Sequence, residues 1–272
     1  MSEQWTQKIT RIFTPKVQLY LLGLGLTIIS IVSYIIFLQN GLGLSYNDAR
    51  SHLDIGRRVV EGLKPGAAQL GSVWLPLNHI LMVPLIWNDW MWHTGLAGAI
   101  WNMLSFVGTG LVIYQFLRHL NVSLIGRIVG IILFIANINT LYLQSTAMTE
   151  PLLLFTMTTS CYYLLLWHEN TSVINLVKTA FWIMLATLVR YDGWFLLGVA
   201  GLLVLRHSYQ TSSHLKTLSE KIARTEGLTV LFSTLALLGV VGWFGWNFLI
   251  FKDALYFILG PFSAHAQQLV ME

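Results

Sequence analysis

The chain has 272 residues, of which 55% are hydrophobic and only 10% are charged, with a formal net charge of +4. A typical soluble domain carries about 25% charged residues, so this composition indicates an integral membrane protein. The small positive charge gives no reason to expect a nucleic-acid partner, because membrane proteins collect Lys and Arg in cytoplasmic loops. Cys161 is the single cysteine, which excludes an intrachain disulfide and a cysteine-based metal site.

Long apolar segments run along the chain and predict an all-α integral membrane protein, because one transmembrane helix needs about 20 apolar residues. About seven spans are expected, at residues 17–38, 94–117, 126–144, 151–167, 173–189, 193–205 and 228–251. The first is too long for the apolar core of a signal peptide, about 7–15 residues, so we expect it to be retained. The second is rich in Gly and Ala, which suits close helix packing.

A cytoplasmic N-terminus puts most Lys and Arg residues in inner connections, as the positive-inside rule expects. This orientation creates a long first outer loop at residues 39–93 and a cytoplasmic loop at residues 206–227. It also puts most carboxylates on the outer side: Asp48, Asp54, Glu61, Asp89, Glu150, Asp192 and Asp253. Because ionisable groups at membrane depth are costly, an acidic cluster on one side indicates a functional site there. We therefore expect a multi-pass plasma-membrane protein whose active site faces outside.

The charged segment 44–60 predicts an amphipathic helix that lies along the outer interface of the membrane. The residues of its apolar stripe recur at steps of 4 and 3 and are Ala49, Leu53, Gly56, Val60 and Leu63. On the exposed face, three pairs of opposite charge are spaced four residues apart and can stabilise the helix: Arg50–Asp54, Asp54–Arg58 and Arg57–Glu61.

Asp48 stands at the beginning of this helix and admits two interpretations. Ser45 and Asp48 have the spacing of a capping box, with Asp48 at the third helical position, which would make its role structural. Alternatively, Asp48 is a catalytic carboxylate. His52 follows one turn later on the same face and is a neighbour of Asp48, a ligand or a plain interface residue.

Several short motifs follow one another in an order that is similar to a known family. The first outer loop carries Asp48 on its interfacial helix, Thr149-Glu150-Pro151 precedes the fourth span, and the sequence Leu-Val-Arg-Tyr-Asp-Gly joins the fifth span to the sixth. In their order and spacing, over roughly residues 46–268, these motifs resemble the membrane glycosyltransferases of the GT-C fold. That group includes protein O-mannosyltransferases, aminoarabinose transferases of lipid A and oligosaccharyltransferases.

Two further segments resemble a bacterial and archaeal branch of the same group and imply a prokaryotic protein: residues 71–77, GSVWLPL, and residues 260–265, GPFSAH. One departure concerns the turn, where Tyr191-Asp192 stands in place of the Pro-Glu pair of an Arg-Pro-Glu-Gly sequence. We expect residues 1–272 to form one GT-C-like module. Relatives continue with further spans or a soluble domain, so the chain is expected either to lack a C-terminal part or to be a minimal module.

The resemblance implies an enzyme that moves a hexosyl or pentosyl group from a polyprenyl-phosphate-linked donor to an acceptor at the outer face. Asp48 would be the general base on the acceptor hydroxyl, and Glu150 a second acid that binds acceptor, sugar or a divalent metal. The donor phosphate would be held by Arg190, then by Arg57, Arg58 and Lys252, because cations stabilise a leaving phosphate. Further substrate contacts are expected from His52, Trp74, Asp192 and His265.

Simpler interpretations stay open for several of these residues. Glu150 is also placed to stabilise the dipole of the fourth helix, and Arg57 and Arg58 are also placed to form ion pairs along their own helix. Asp48, Glu150 and His265 show no spacing typical of metal ligands, so no metal site is predicted, although a divalent ion remains open as a cofactor.

Two other functional classes compete with the enzyme. A non-catalytic membrane subunit of the same fold would serve assembly or lipid binding beside a partner subunit. A transporter is the weakest alternative, because the carboxylates cluster at one face and the span pattern has no inverted repeat. Apart from membrane lipids, the partner that the resemblance implies is a polyprenyl-phosphate sugar lipid.

Overall fold

A computed structural model describes residues 14–213, 215, 217–263, 266 and 268, and the described part of the chain contains helices and no strand. The all-α prediction is therefore confirmed. In chain order the helices are α1 Pro15–Gln39, α2 Asn47–Val60, α3 Leu77–Met82, α4 Asp89–His93, α5 Leu96–His119, α6 Leu124–Ile135, α7 Ile138–Gln144, α8 Glu150–Asn170, α9 Val173–Val189, α10 Asp192–Thr211, α11 Leu218–Ala236, α12 Leu238–Phe251 and α13 Tyr256–Leu259. A short 3₁₀ turn, Ala67–Leu70, lies between α2 and α3.

Helices α1 and α5 are each long and apolar enough to cross a membrane. Two bent pairs, α6 with α7 and α11 with α12, would each add one span if they cross as a unit. The described helices thus include two to four candidate spans and indicate a membrane protein. Helices α8 and α10 are less apolar, and α9 has 17 residues, so length and composition alone do not identify these three as spans.

The predicted span 126–144 is broken, which corrects the expectation of one continuous helix. Helices α6 and α7 meet at an angle of 64°. The side chain of Asn137 accepts hydrogen bonds from the backbone N–H groups of Asn139 and Thr140, so it caps a new helix at this point. Asparagine favours such a cap over a helix interior, which explains why the apolar pattern continues while the helix changes direction.

The predicted cytoplasmic loop 206–227 is largely helical. Helix α10 continues to Thr211, and α11 begins at Leu218, well before the apolar residues used to predict the last span. A capping box starts α11: the Thr217 hydroxyl accepts from the Glu220 N–H, and the Glu220 carboxylate accepts from the Thr217 N–H. This polar start and the 45° bend between α11 and α12 were not predicted from the apolar pattern.

Small residues bring α5 close to its neighbours, as its composition predicted. A Cβ atom at Gly98 would lie 2.4 Å from the Cβ of Ala147, and one at Gly108 would lie 2.5 Å from a ring carbon of Phe155. A third close approach joins α5 to α1, where a Cβ atom at Gly110 would lie 2.6 Å from Leu26. Since real Cβ atoms do not approach so closely, these glycines fix how near α1 and α8 pack to α5.

The apolar stripe predicted for α2 is buried inside the helix but does not continue beyond the end of the helix. Ala49, Leu53 and Gly56 are buried, and the helix packs against α3. The stripe is wrong at Leu63, which is fully exposed because the helix ends at Val60.

Two local details of α2 also differ from the prediction. The cap position is Tyr46, with no side-chain cap, and Ser45 bonds instead to the carbonyl oxygen of Leu42 and the hydroxyl of Tyr142. The capping-box interpretation of Asp48 is therefore wrong. Of the three predicted ion pairs only Arg57–Glu61 forms among the described residues, because Asp54 accepts a hydrogen bond from Trp92 Nε1 instead.

Candidate active site

Asp48 and Arg190, which are distant in sequence, line one cavity of about 550 Å³. Asp48 comes from the first turn of α2, and Arg190 from the link between α9 and α10. Three more residues predicted as substrate contacts line the same cavity: His52, Trp74 and Asp192. The fold therefore brings together five site residues that the sequence placed in three separate segments.

Arg190 gathers three polar side chains around its guanidinium. Nη1 donates to Glu150 Oε1 at 2.8 Å and to Thr149 Oγ1 at 3.1 Å, while Nε donates to Asp192 Oδ2 at 3.0 Å. Nη2 makes no hydrogen bond within the described part of the chain, so its two N–H groups are available to a ligand.

The backbone around Arg190 is set by a glycine. Residues Tyr191 and Asp192 lead directly into α10, and a Cβ atom at Gly193 would lie 2.4 Å from the carbonyl oxygen of Ala186 in the last turn of α9. Only glycine fits this approach of the two helix ends. Tyr191, which replaces proline in the motif, donates its hydroxyl to the Val73 carbonyl at 2.8 Å and so ties the turn to the segment that carries Trp74.

The connection before α8 is held by two buried asparagines. Asn102 Nδ2 on α5 donates to the carbonyl oxygens of Thr146 and Met148, at 2.7 and 2.5 Å. Asn78 Nδ2 on α3 donates to the carbonyl oxygen of Ala147 at 3.1 Å. Both asparagines are fully buried, so the loop that presents Thr149 and Glu150 to Arg190 is fixed from two sides.

Asp48 is exposed at the second position of α2 and has no hydrogen bond or ion pair among the described residues. A carboxylate in the first turn of a helix is stabilised by the helix dipole by about 0.3–1 kcal/mol. Since Ser45 does not bring it into a capping box, its oxygens are available to accept a proton or a hydrogen bond from a ligand in the cavity.

His52 forms a buried pair with His79, a residue that the sequence did not single out. His52 Nδ1 lies 2.8 Å from His79 Nε2, and the ring of His52 lies 4.5 Å from that of Trp74. Burial, and then the positive charge of Arg190, lower the pKa of His52 to about 4. Burial, and then His52 and Arg58, lower the pKa of His79 well below its ordinary value. Both rings are therefore neutral at neutral pH.

Arg57 is engaged by the protein itself. It donates to the carbonyl oxygen of Ile86 at 2.8 Å and to Asp89 Oδ1 at 2.6 Å, and it pairs with Glu61. Its guanidinium also lies over the ring of Trp92, 4.8 Å from the centroid. These contacts join α2 to the segment between α3 and α4, and they correspond to the structural interpretation of this arginine.

Arg58 is exposed and makes no ion pair or hydrogen bond to any described residue. It lines two cavities that adjoin the first. One, of about 940 Å³, also contains Arg57 and several acidic and aromatic side chains. The other, of about 500 Å³, is mostly apolar, with Leu70, Phe251 and Tyr256 in its wall. Trp74 borders all three cavities, so they meet at this indole.

Two predicted residues are not brought into these cavities. Lys252 ends α12 in a left-handed conformation and donates to the carbonyl oxygen of Leu249, outside the walls of all three. His265 lies outside the described residues. Within the described part of the chain, no group of three or more His, Cys, Asp or Glu side chains is arranged to hold a metal ion.

The chain matches no protein-family model, and no curated protein or solved structure is significantly similar to it. The chemistry of the site therefore has to be argued from its geometry. The cavity presents three groups to the same space: a carboxylate and two guanidinium N–H groups that no described residue engages, and a neutral imidazole. Such a set can accept a proton at one point and stabilise developing negative charge at another.

Proposed function

We propose that the chain is a membrane glycosyltransferase that moves a sugar from a polyprenyl-phosphate-linked donor to an acceptor hydroxyl at the outer face of a prokaryotic plasma membrane. The observation that carries this proposal is the shared cavity of Asp48 and Arg190, in which no described residue pairs with the carboxylate or with Nη2 of the guanidinium. Its GT-C-like order of motifs, argued above from the sequence, agrees with that arrangement.

In the proposed reaction, the acceptor oxygen forms a bond to the anomeric carbon of the donor sugar. The bond from that carbon to the phosphate oxygen breaks, and its electron pair leaves with the polyprenyl phosphate. Asp48 takes the proton of the acceptor hydroxyl, which a positioned carboxylate does with a rate effect of about 10²–10⁴-fold. Arg190 Nη2 stabilises the negative charge that grows on the phosphate.

Charge and polarity suggest how the donor lies. The first cavity contains Asp48 and Asp192, with Arg190 and its partner Glu150 beside them, so carboxylates outnumber cations there. A phosphate is better placed toward Arg58, whose mostly apolar cavity suits the prenyl chain. The phosphate then lies near Trp74, between Arg58 and Arg190, and the sugar reaches toward Asp48. Arg58 replaces Arg57 as the second phosphate contact.

For the topology, we propose about seven spans with a cytoplasmic N-terminus and the cavities at the outer face. The cavities lie near the beginnings of α5, α8 and α10, because His93, Thr149 and Asp192 line them. Arg118 and Arg206 lie toward the opposite ends of α5 and α10. The positive-inside rule favours a cytoplasmic location for that opposite end. In a Cys161→Ala chain, Asp253→Cys should react with an impermeant maleimide added to intact cells, and Glu226→Cys should not.

The decisive experiment for the function is transfer from radiolabelled polyprenyl-phosphate sugars by the full chain in proteoliposomes that contain membrane acceptor lipids. Asp48→Asn should lower the rate by about 10²–10⁴-fold without changing the melting temperature. Glu226→Gln, which removes an exposed carboxylate on α11, is the matched control and should keep full activity. An Asp48→Asn protein with the full rate would remove Asp48 as the base.

A non-catalytic subunit is the second candidate, and the pairing of Arg190 with two carboxylates favours it, because such an arrangement is also a structural link between helices. In that case no sugar lipid would be consumed, and a second protein would remain bound to the chain through purification.

A further inference from the structure

His52 and His79 form a hydrogen bond whose single proton has two arrangements. His52 lies on α2 and His79 on α3, and both rings are buried. Because both are neutral, each ring carries one N–H, and the 2.8 Å contact between His52 Nδ1 and His79 Nε2 holds one proton. Either His52 donates to His79, or His79 donates to His52.

The other nitrogen of His79 decides between these arrangements. His79 Nδ1 is fully buried and has no hydrogen-bond partner among the described residues. If His52 donated, the proton of His79 would lie on Nδ1 as a buried N–H with no acceptor among the described residues, an unsatisfied donor that folded proteins rarely tolerate. If His79 donates through Nε2, its Nδ1 carries only an unused lone pair. His79 therefore donates to His52 Nδ1, and the proton of His52 lies on Nε2.

His52 Nε2 remains open to the cavity. It makes no hydrogen bond to a described residue, and it is not among the fully buried polar atoms without a partner, although His52 as a residue is only 4% exposed. His52 lines the cavity that Arg190 and Asp48 line. An N–H at this position points to a hydrogen-bond acceptor on a ligand, because no described residue supplies one.

We propose that His52 binds a phosphate oxygen of the ligand as a neutral Nε2–H donor, and that His79 acts as a positioning residue that fixes this tautomer. For the identity of the ligand, the proposal rests on the proposed function. His52 and the unused nitrogen of Arg190 then form a pair of donors in one cavity, which is the arrangement that suits an oxyanion. With its lone pair at Nδ1 engaged by His79, His52 is excluded as the base, which leaves that role to Asp48.

The tautomer can be measured without any enzymatic activity. The full chain, with ¹⁵N-labelled histidine, is placed in lipid nanodiscs at pH 7, and long-range ¹H–¹⁵N spectra report which ring nitrogen of each histidine is protonated. His52→Gln and His79→Gln assign the signals. We expect a protonated Nε2 and an unprotonated Nδ1 for His52. A His52 that is charged, or protonated at Nδ1, would overturn the proposal.

Ligand binding is tested in the same nanodiscs with three probes: a polyprenyl phosphate, the corresponding polyprenol and inorganic phosphate. The His52 Nε2–H signal should shift with the polyprenyl phosphate and not with the polyprenol. A similar shift with inorganic phosphate at high concentration identifies the phosphate as the recognised group, and its absence shows that the lipid chain is also required. No shift with either phosphate, or an equal shift with the polyprenol, would refute the role of His52.

Variants separate a donor role from a merely structural one. His52→Phe should weaken binding of the polyprenyl phosphate by about 10- to 100-fold, since a hydrogen bond to a charged group is lost. His52→Gln, which places an N–H near the same point, should recover most of this loss. His168→Gln, at the exposed end of α8, is the control and should bind like the unchanged protein. Equal loss in His52→Phe and His52→Gln would contradict the proposal.

Failure of this inference is distinguishable from failure of the proposed function. Polyprenyl phosphate carries no sugar and is not turned over, so its effect on His52 is independent of transfer. If the His52 Nε2–H signal shifted with polyprenyl phosphate but no sugar were transferred, the inference would hold for a lipid-binding subunit. If sugar were transferred but the His52 signal did not shift, the proposed enzymatic function would hold and the inference about His52 would be rejected.

Discussion

Nη1 of Arg190 at the end of α9 lies 2.8 Å from Oε1 of Glu150 at the start of α8. These two helices pack against each other more extensively than any other pair. The ion pair therefore lies where the close packing of α8 and α9 ends and the cavity of Asp48 begins. This one contact thus belongs both to the helix packing and to the candidate active site. A substitution of Arg190 can therefore be measured for its effect on stability and, separately, for its effect on transfer.

Arg190→Lys should separate the two roles. Lysine keeps the charge but loses the planar set of donors that reaches Glu150, Thr149 and Asp192 together. We expect the transfer rate to fall by about 10- to 100-fold. Because these side chains are partly exposed, the loss of stability should be only about 1 kcal/mol. Transfer assays and thermal unfolding in detergent measure the two effects.

Arg206→Lys on α10 is the control for that substitution, because Arg206 is exposed and lines none of the three cavities. It should change neither quantity. If Arg190→Lys matched this control in transfer rate, Arg190 would have no part in stabilising the leaving phosphate.

Arg57 and Arg58 are neighbours in sequence, but we expect opposite effects from their replacement by alanine. Arg57→Ala removes hydrogen bonds and two ion pairs from a side chain that is 13% exposed, and should destabilise the fold by about 2 kcal/mol. Arg58→Ala should change stability by less than about 0.5 kcal/mol, because Arg58 is exposed and no described residue pairs with it.

The same two variants differ in lipid binding. Arg58→Ala should weaken the binding of a polyprenyl phosphate by about tenfold, since it removes a charged contact to the phosphate. Arg57→Ala, where it folds, should bind nearly as well as the unchanged protein. Native mass spectrometry of the lipid complex measures both affinities. If Arg57→Ala weakened binding more than Arg58→Ala, Arg57 would be the phosphate contact instead.

Mild acid should destabilise the protein through His52 and His79. Between the ordinary histidine pKa of 6.5 and the value of about 4 for His52, the unfolded chain binds a proton that the folded chain does not. Stability is therefore complete above about pH 6.5 and falls as the pH is lowered toward 4. For His52 alone the loss amounts to about 3 kcal/mol. His79 acts in the same direction.

Melting temperatures measured from pH 8 to pH 4.5 test this dependence. The double variant His52→Gln/His79→Gln should show a flatter profile than the unchanged protein, whereas His93→Gln, at an exposed histidine on α4, should not. If the melting temperature of the double variant fell equally steeply with decreasing pH, groups other than His52 and His79 would be responsible.

The composition and the apolar segments predicted the helical class because an apolar segment of about 20 residues that crosses lipid must satisfy its own backbone hydrogen bonds, as a helix does. They failed where a polar cap interrupts such a segment. Asn137 restarts the helix at α7, and Thr217 with Glu220 starts α11 inside a predicted loop. Both are local hydrogen-bond choices that an average over about 20 residues does not detect.

The candidate site shows the same division. Asp48 and Arg190 were predicted as site residues from the resemblance to GT-C glycosyltransferases, and they do line one cavity. The pairing of Arg190 with Glu150, and of His52 with His79, depends on which helices meet, and nothing in the local sequence determines that. His79 was overlooked because it belongs to an apolar segment, 79–87, where its burial is unremarkable without its partner.

The two asparagines that hold the loop before α8 have a consequence for the thermodynamics of binding. Asn78 and Asn102 fix the backbone from Thr146 to Met148 through contacts that exist before any ligand arrives. The loss of conformational entropy in this loop is thus incurred during folding and not again on association. A ligand that contacts Arg190 consequently meets a preorganised surface, and its affinity reflects mainly the new contacts that it makes.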